Sequence, residues 1–183
     1  MSDKLIALRR PEPADGGALH KLVADCPPLD ENSMYCNLLQ CTHFSSTSVV
    51  ADSGDALVAA VSGYRVPERE NTLFVWQVAV SEPARGQGLG GRMLSEILSR
   101  PECSGVRYLE TTVTASNEAS WALFKGFARR EGAELQKNEL FESASHFNGQ
   151  KPTEILVRIG PLAERVSPAS GSGIASVSKE KIA

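Results

Sequence analysis

The chain has 183 residues, 42% of them apolar and 22% charged, which suits one domain with a buried core. A formal charge of −3 lacks the basic footprint of a nucleic-acid binder, and the longest purely apolar run, Ala56 to Val61, is far below the ~18 residues of a membrane span. Four cysteines without a C-x-x-C pair and three scattered histidines argue against a metal site or a disulfide framework.

The N-terminal stretch MSDKLIALRRPEP has too short an apolar run for a secretory leader. A cytoplasmic location with free thiols is therefore expected. LIALRRP (5–11) reads as a strand. ADGGALHKLVADC follows as a helix, with Ala18, Leu19, Leu22 and Val23 on one face, and Pro27-Pro28 stops it. NSMYCNLLQCTHF (32–44) reads as a second helix, with Asp30 or Asn32 as its cap. TSVVADS and ALVAAVSGY form a hairpin across Ser53, Gly54 and Asp55. TLFVWQVAV (72–80) is a strand rich in β-branched and aromatic residues. A glycine-rich turn leads into an amphipathic helix carrying Leu89, Met93, Leu94, Ile97 and Leu98. VRYLETTV is a further strand, and SNEASWALFKGFARRE a helix capped by Ser116 or Asn117. ELQKNELF and EILVRIG close the sheet, with His146 and Phe147 in a polar loop between them. After Gly160 the chain is rich in Ser, Ala and Gly, so the domain is expected to span residues 1–162 and 163–183 to form a mobile tail.

The chemistry concentrates in VWQVAVSEPARGQGLGGRML (75–94). A strand ends at Val80, then Arg85 and four glycines precede a helix. The first amides of a helix have no internal partners, and its dipole adds positive potential, so this turn is an anion site fit for a pyrophosphate. Gly86, Gly88 and Gly91 also spell G-x-G-x-x-G, with Glu110 about twenty residues on, as a ribose-binding acid would be. Against a dinucleotide fold stand the interposed residues Ser81 to Arg85 and the short chain left after Glu110.

The other pattern, Arg-x-x-Gly-x-Gly at Arg85, Gly88 and Gly90, resembles the acyl-CoA segment of the GNAT superfamily of N-acetyltransferases, and SNEASWALFKGF resembles its next segment. The resemblance implies an α+β (mixed α/β) fold: a central, mostly antiparallel twisted sheet of six to seven strands flanked by about four helices. It implies acetyl-CoA as co-substrate, with Arg85, Gly86, Gln87, Gly88, Leu89, Gly90 and Gly91 on the pyrophosphate. Val78, Ala79 and Val80 would pair with pantetheine, the Val80 amide would polarise the thioester carbonyl, and Asn117 would flank the arm. Phe124 stands where that family often has a tyrosine that protonates the leaving thiolate, and Phe has no proton to give. A thiol of pKa ~8.5 can leave unassisted or through water.

Further segments, PPLDENSMYCNLLQCTHF, SGYRVPERENTLFVWQVAV and SNEASWALFKGFARREG, resemble the diaminobutyrate acetyltransferases of ectoine biosynthesis, an osmoprotective pathway. That branch implies acetylation of the γ-amino group of L-2,4-diaminobutyrate and a homodimer. Asp30, Glu154 and Glu31 are candidate partners for its ammonium groups, with a helix cap as the alternative role of Asp30. Trp76, two residues from Val78, would share its face and wall the site, and Tyr35 could add a hydroxyl. Arg65, Arg69 or backbone amides would take the carboxylate. Thr111, Thr112, His146 and Phe147 are minor candidates. The expected reaction is direct attack in a ternary complex, with Glu154 or Asp30 relaying the amine proton. The alternatives are acetylation of another small amine or polyamine, and a non-catalytic acyl-CoA-binding module.

Overall fold

The computed structural model describes residues 5–165. In chain order the elements are β1 (Ala7–Arg9), α1 (Gly16–Ala24), α2 (Met34–Thr42), β2 (Val49–Asp52), β3 (Leu57–Val66), β4 (Arg69–Val80), α3 (Leu89–Ser99), β5 (Tyr108–Thr114), α4 (Glu118–Glu131), β6 (Leu135–Phe141), α5 (Ser143–Phe147) and β7 (Glu154–Ile159). The strands form one sheet in the order β1-β2-β3-β4-β5-β7-β6. Every pair is antiparallel except β4 with β5, which α3 joins as a crossover.

Two apolar layers cover the sheet. The α3 stripe of Leu89, Met93, Leu94 and Ile97 joins Phe124 and Phe127 of α4 over Leu73, Val75, Leu109, Val113, Val157 and Ile159. Each such side chain, removed from water, stabilises the fold by roughly 1.5–3 kcal/mol. On the opposite face Leu19, Leu22 and Val23 of α1, with Cys41 of α2, bury only Val50, Ala60 and Ala79. The sheet from β5 outward has no helix on that side among these clusters.

Two irregularities shape the centre. Beyond Phe74 and Glu110, β4 and β5 no longer pair: their parallel register covers only Thr72 to Phe74, while β5 continues along β7 to Thr114. The strands therefore splay into a V. In addition, the β3–β4 register steps from Ser62↔Gln77 to Gly63↔Val75, leaving Trp76 unpaired in a bulge. The bulge reverses the alternation. Leu73 and Val75 face the α3–α4 core before it, and Val78 and Val80 pack on that same core after it.

Two local details differ from the sequence reading. The cap of α2 is neither Asp30 nor Asn32 but Ser33, whose hydroxyl accepts the Cys36 amide at 3.1 Å. His146 and Phe147 lie in the short helix α5 rather than a loop. Past β7 the Leu162 amide donates to the Arg107 carbonyl at 2.7 Å, and Arg165 pairs with Glu131. Of the expected tail, residues 166–183 lie outside the described residues.

Candidate active site

The V between β4 and β5 opens into a cleft of about 580 Å³ walled by the start of α3, the first turns of α4 and the end of the α1 segment. Of the residues expected to hold the cofactor, Val78, Val80, Arg85, Gly86, Gly88, Leu89, Gly90, Gly91 and Asn117 line it. Ala79 and Gln87 do not. The Ala79 side chain is buried in the α1 layer, and the Gln87 amide donates to the Pro83 carbonyl at 3.2 Å.

Strand parity decides which amides face the cleft. Ser81 N–H donates to the Val58 carbonyl at 2.9 Å, so the pairs two residues further in, through Ala79 and Gln77, also bond across to β3. The N–H and C=O groups of Val78 and Val80 then point the other way, into the V. In agreement, the Val80 carbonyl accepts from Arg85 Nε at 3.1 Å and from Cys26 Sγ at 3.4 Å. At the far end, the first intrahelical bond of α3 runs from Arg92 N–H to the Gly88 carbonyl at 3.1 Å. The amides of Leu89, Gly90 and Gly91 thus have no partner within the helix. Gly88 caps α3 at φ 70°, a left-handed conformation that side chains resist. Gly91 serves packing as well: a Cβ there would stand 2.6 Å from an Arg130 guanidinium nitrogen. Together the helix start and the strand end offer a row of amide donors to an elongated anion.

Some cleft residues escaped the sequence reading. Cys26, Pro27, Pro28 and Leu29 form one lip, and Ser120 and Leu123 of α4 line the opposite wall. The Asn117 cap marks that wall: its side chain accepts the Ser120 amide at 3.1 Å, and residues 117, 120 and 123 recur at helical spacing. Phe124 is 2% exposed and packs in the core, so it does not face the cleft. Burial pushes the Cys41 thiol up to about 11 and raises that of Cys103, leaving both inert.

On the other face of the sheet lie the candidates for the amine. The expectation that Trp76 shares a face with Val78 fails, because the bulge lies between them. Trp76 sits on the opposite side, edge-on to Tyr64 with ring centroids 6.3 Å apart, and is 41% exposed. That side is also where the α1–α2 loop approaches. Gln77 Nε2 donates to the Asp30 carbonyl at 2.7 Å, and Asn32 Nδ2 donates to Gln77 Oε1 at 2.7 Å, pinning the loop to β4 beside the bulge. The Asp30 carboxylate accepts from Lys151 Nζ at 2.7 Å, tying the same loop to the segment before β7. Glu154 opens β7, opposite Thr114, with the same parity as Glu110 and Arg158. It is half-buried, and its carboxylate makes no hydrogen bond or ion pair with any described residue. Thr112 shares its face, whereas Thr111 is buried toward the core. Tyr35 is 70% exposed at the start of α2. His146 Nδ1 accepts the Glu142 amide at 3.0 Å within α5.

Neither arginine considered for a carboxylate is free. Arg65 donates to the Glu70 and Glu102 carbonyls. Arg69 binds Glu110 through two bonds of 2.6 and 2.8 Å, and Arg158, stacked on Tyr108, binds the same carboxylate. Glu110 is 1% exposed, which alone would push its carboxyl up; the two guanidiniums outweigh that and hold it below the usual carboxylate range. It seals the seam where β4 and β5 part and is not a ribose ligand. Among the described residues no group of three His, Cys, Asp or Glu side chains could hold a metal, and no helix is long and apolar enough to cross a membrane.

Comparison with known proteins agrees with this geometry. Residues 17–128 match the Acetyltransferase (GNAT) family. The chain is 53% identical to the L-2,4-diaminobutyric acid acetyltransferase of Methylotuvimicrobium alcaliphilum over 86% of this chain and 92% of that relative. It is 46% identical to the enzyme of the same name from Vibrio cholerae, over 82% and 87%. The solved structure of the diaminobutyrate acetyltransferase EctA from Paenibacillus lautus, in complex with its substrate L-2,4-diaminobutyric acid and coenzyme A, superposes with a TM-score of 0.84 at 35% identity, covering 90% of this chain and 99% of that one. The chain is therefore a member of the acetyltransferase (GNAT) family and, within it, of the L-2,4-diaminobutyric acid acetyltransferases.

Proposed function

We propose that this enzyme transfers the acetyl group of acetyl-CoA to the γ-amino group of L-2,4-diaminobutyrate, giving N4-acetyl-L-2,4-diaminobutyrate, by direct attack in a ternary complex. The observation that carries the reading is the V between β4 and β5. It lies between a cleft with free amides on the α3–α4 side and, on the opposite sheet face, a surface that carries Asp30, Trp76 and Glu154. Relatives of the same name, and the Paenibacillus lautus enzyme holding the diamine and coenzyme A, support the choice of substrates.

In this mechanism the pyrophosphate lies on the amides of Leu89, Gly90 and Gly91 with Arg85 beside it. Pantetheine runs along β4 as an added strand. The Val80 amide, with that of Val78 one pleat further in, stabilises the oxyanion as the amine attacks. The amine arrives mostly as ammonium (pKa ~10), so a base must take a proton. Asp30 already carries an ion pair with Lys151, whereas the Glu154 carboxylate has no partner among the described residues, so Glu154 takes the proton and Asp30 anchors the substrate. With Phe124 in the core, the thiolate leaves without a side-chain acid from that position. The enzyme acts in the cytoplasm, in synthesis of an osmoprotective solute, as a homodimer.

Purified enzyme mixed with acetyl-CoA and diaminobutyrate should release thiol and give one monoacetylated product, with the acetyl on the γ-nitrogen by NMR. No thiol release, or an acetyl on the α-nitrogen, refutes the reading.

A further inference from the structure

We infer that Arg92 and Arg130 hold the ribose 3′-phosphate of acetyl-CoA in a second hollow beside the cofactor cleft, and so make the enzyme select coenzyme A over its dephospho form; the inference rests on the acetyl-CoA reading above. The hollow, of about 490 Å³, lies over the outer face of α3, with Arg92, Ser95 and Glu96 on one side and Arg130 of α4 on the other. Gly91 lines both this hollow and the cofactor cleft, so the two meet at the start of α3.

Gly91 stands inside α3 without a positive φ, so no turn requires glycine there, and glycine weakens a helix relative to alanine. What it leaves room for is Arg130: a Cβ would lie 2.6 and 3.0 Å from the two terminal guanidinium nitrogens. Arg130 belongs to the last turn of α4, where the carbonyl end of its own helix favours a cation. Its guanidinium nonetheless leans past the Phe127 ring onto the start of α3, whose free amides and dipole disfavour positive charge. Arg92, in the first turn of α3, adds a second cation. Neither guanidinium makes a hydrogen bond or ion pair with any described residue. The carboxylates nearest in sequence are turned elsewhere, Glu96 toward Arg100 at 3.6 Å and Glu131 to Arg165.

Two unneutralised guanidiniums at the positive end of a helix disfavour each other and the helix start, and an anion between them relieves both. Acetyl-CoA carries such an anion. Beyond the pyrophosphate that the α3 amides take, its ribose bears a phosphomonoester with a charge of about −1.5 to −2 at neutral pH. A pyrophosphate on the amides of Leu89, Gly90 and Gly91 brings that ribose to the rim the two hollows share. Guanidinium forks bind phosphate oxygens in pairs, and Ser95, one turn along from Arg92, adds a hydroxyl donor.

The test is calorimetry with coenzyme A and dephospho-coenzyme A, which differ only in that phosphate. Wild-type enzyme should bind coenzyme A about tenfold tighter or more. Arg92→Met combined with Arg130→Met should bring the two affinities within twofold, by weakening coenzyme A alone. Each single variant should lose part of the preference, and Arg130→Lys, which keeps the charge without the fork, should lose less than Arg130→Met. The single variants carry the same comparison if the double variant fails to fold. Equal affinities in wild type overturn the proposal. So does a wild-type preference retained in the variants, or an equal weakening of both ligands, since that marks arginines that serve the pyrophosphate or the packing. Wild-type enzyme that binds neither ligand refutes the underlying reading of the cleft, before any variant is measured.

Discussion

The two sides of the V are built by different means. The proposed cofactor side is made of backbone: the strand amides of Val78 and Val80 and the helix-start amides of Leu89, Gly90 and Gly91, all within one strand–turn–helix segment. The proposed acceptor side draws on side chains from separate stretches, Asp30 and Trp76 from one half of the chain and Glu154 from the other. A backbone site tolerates change in side-chain identity as long as the turn survives, whereas a side-chain site fails with one substitution. The contrast predicts which parameter each variant moves.

The largest effect belongs to the acceptor side. Glu154→Gln should lower kcat/KM for diaminobutyrate by about 10²–10⁴-fold, the usual worth of a positioned base. Calorimetry should find acetyl-CoA affinity within twofold of wild type. A loss of less than tenfold would mean that water or Asp30 takes the proton and that the acceptor side holds no dedicated base.

The seam beneath both sides comes next. Glu110→Gln leaves two guanidiniums facing each other without their carboxylate, and should cost about 3–5 kcal/mol of stability in denaturant melts. The effect carries a pH signature. The folded carboxyl titrates below its unfolded value, so the native state binds fewer protons in that window and the ion-pair stabilisation is complete above it. The stability gap between wild type and Glu110→Gln should stay constant from pH 7 down to about 5, then narrow as pH falls below ~4.3 and through the folded value. A gap that widens in acid would contradict the ionised assignment of Glu110.

Smallest is the expected loss on the cofactor side. Gly88→Val forces a β-branched residue to φ 70° at the α3 cap, a strain of about 1–3 kcal/mol, and should weaken acetyl-CoA binding about 10- to 100-fold. The KM for the amine, measured at saturating acetyl-CoA, should stay near wild type. If both parameters move together, the two sides are coupled through β4 rather than independent.

The sequence alone determined what is local. Apolar periodicity set the helices and strands, and a strand, a glycine turn and a helix start in immediate succession set the anion site, because amides left unpaired at a helix start need no distant partner. It could not determine the bulge at Trp76. Alternation along TLFVWQVAV gives no sign of an extra residue that only pairing with β3 reveals, so simple parity puts Trp76 on the wrong face. Nor could it show that Ser33 outcompetes Asp30 as the cap of α2, that Glu110 is locked between two arginines, or that Lys151 crosses to Asp30. Those outcomes depend on contacts between residues dozens of positions apart, and the tertiary structure decides them because charge pairing and sheet register are settled only when the strands have met.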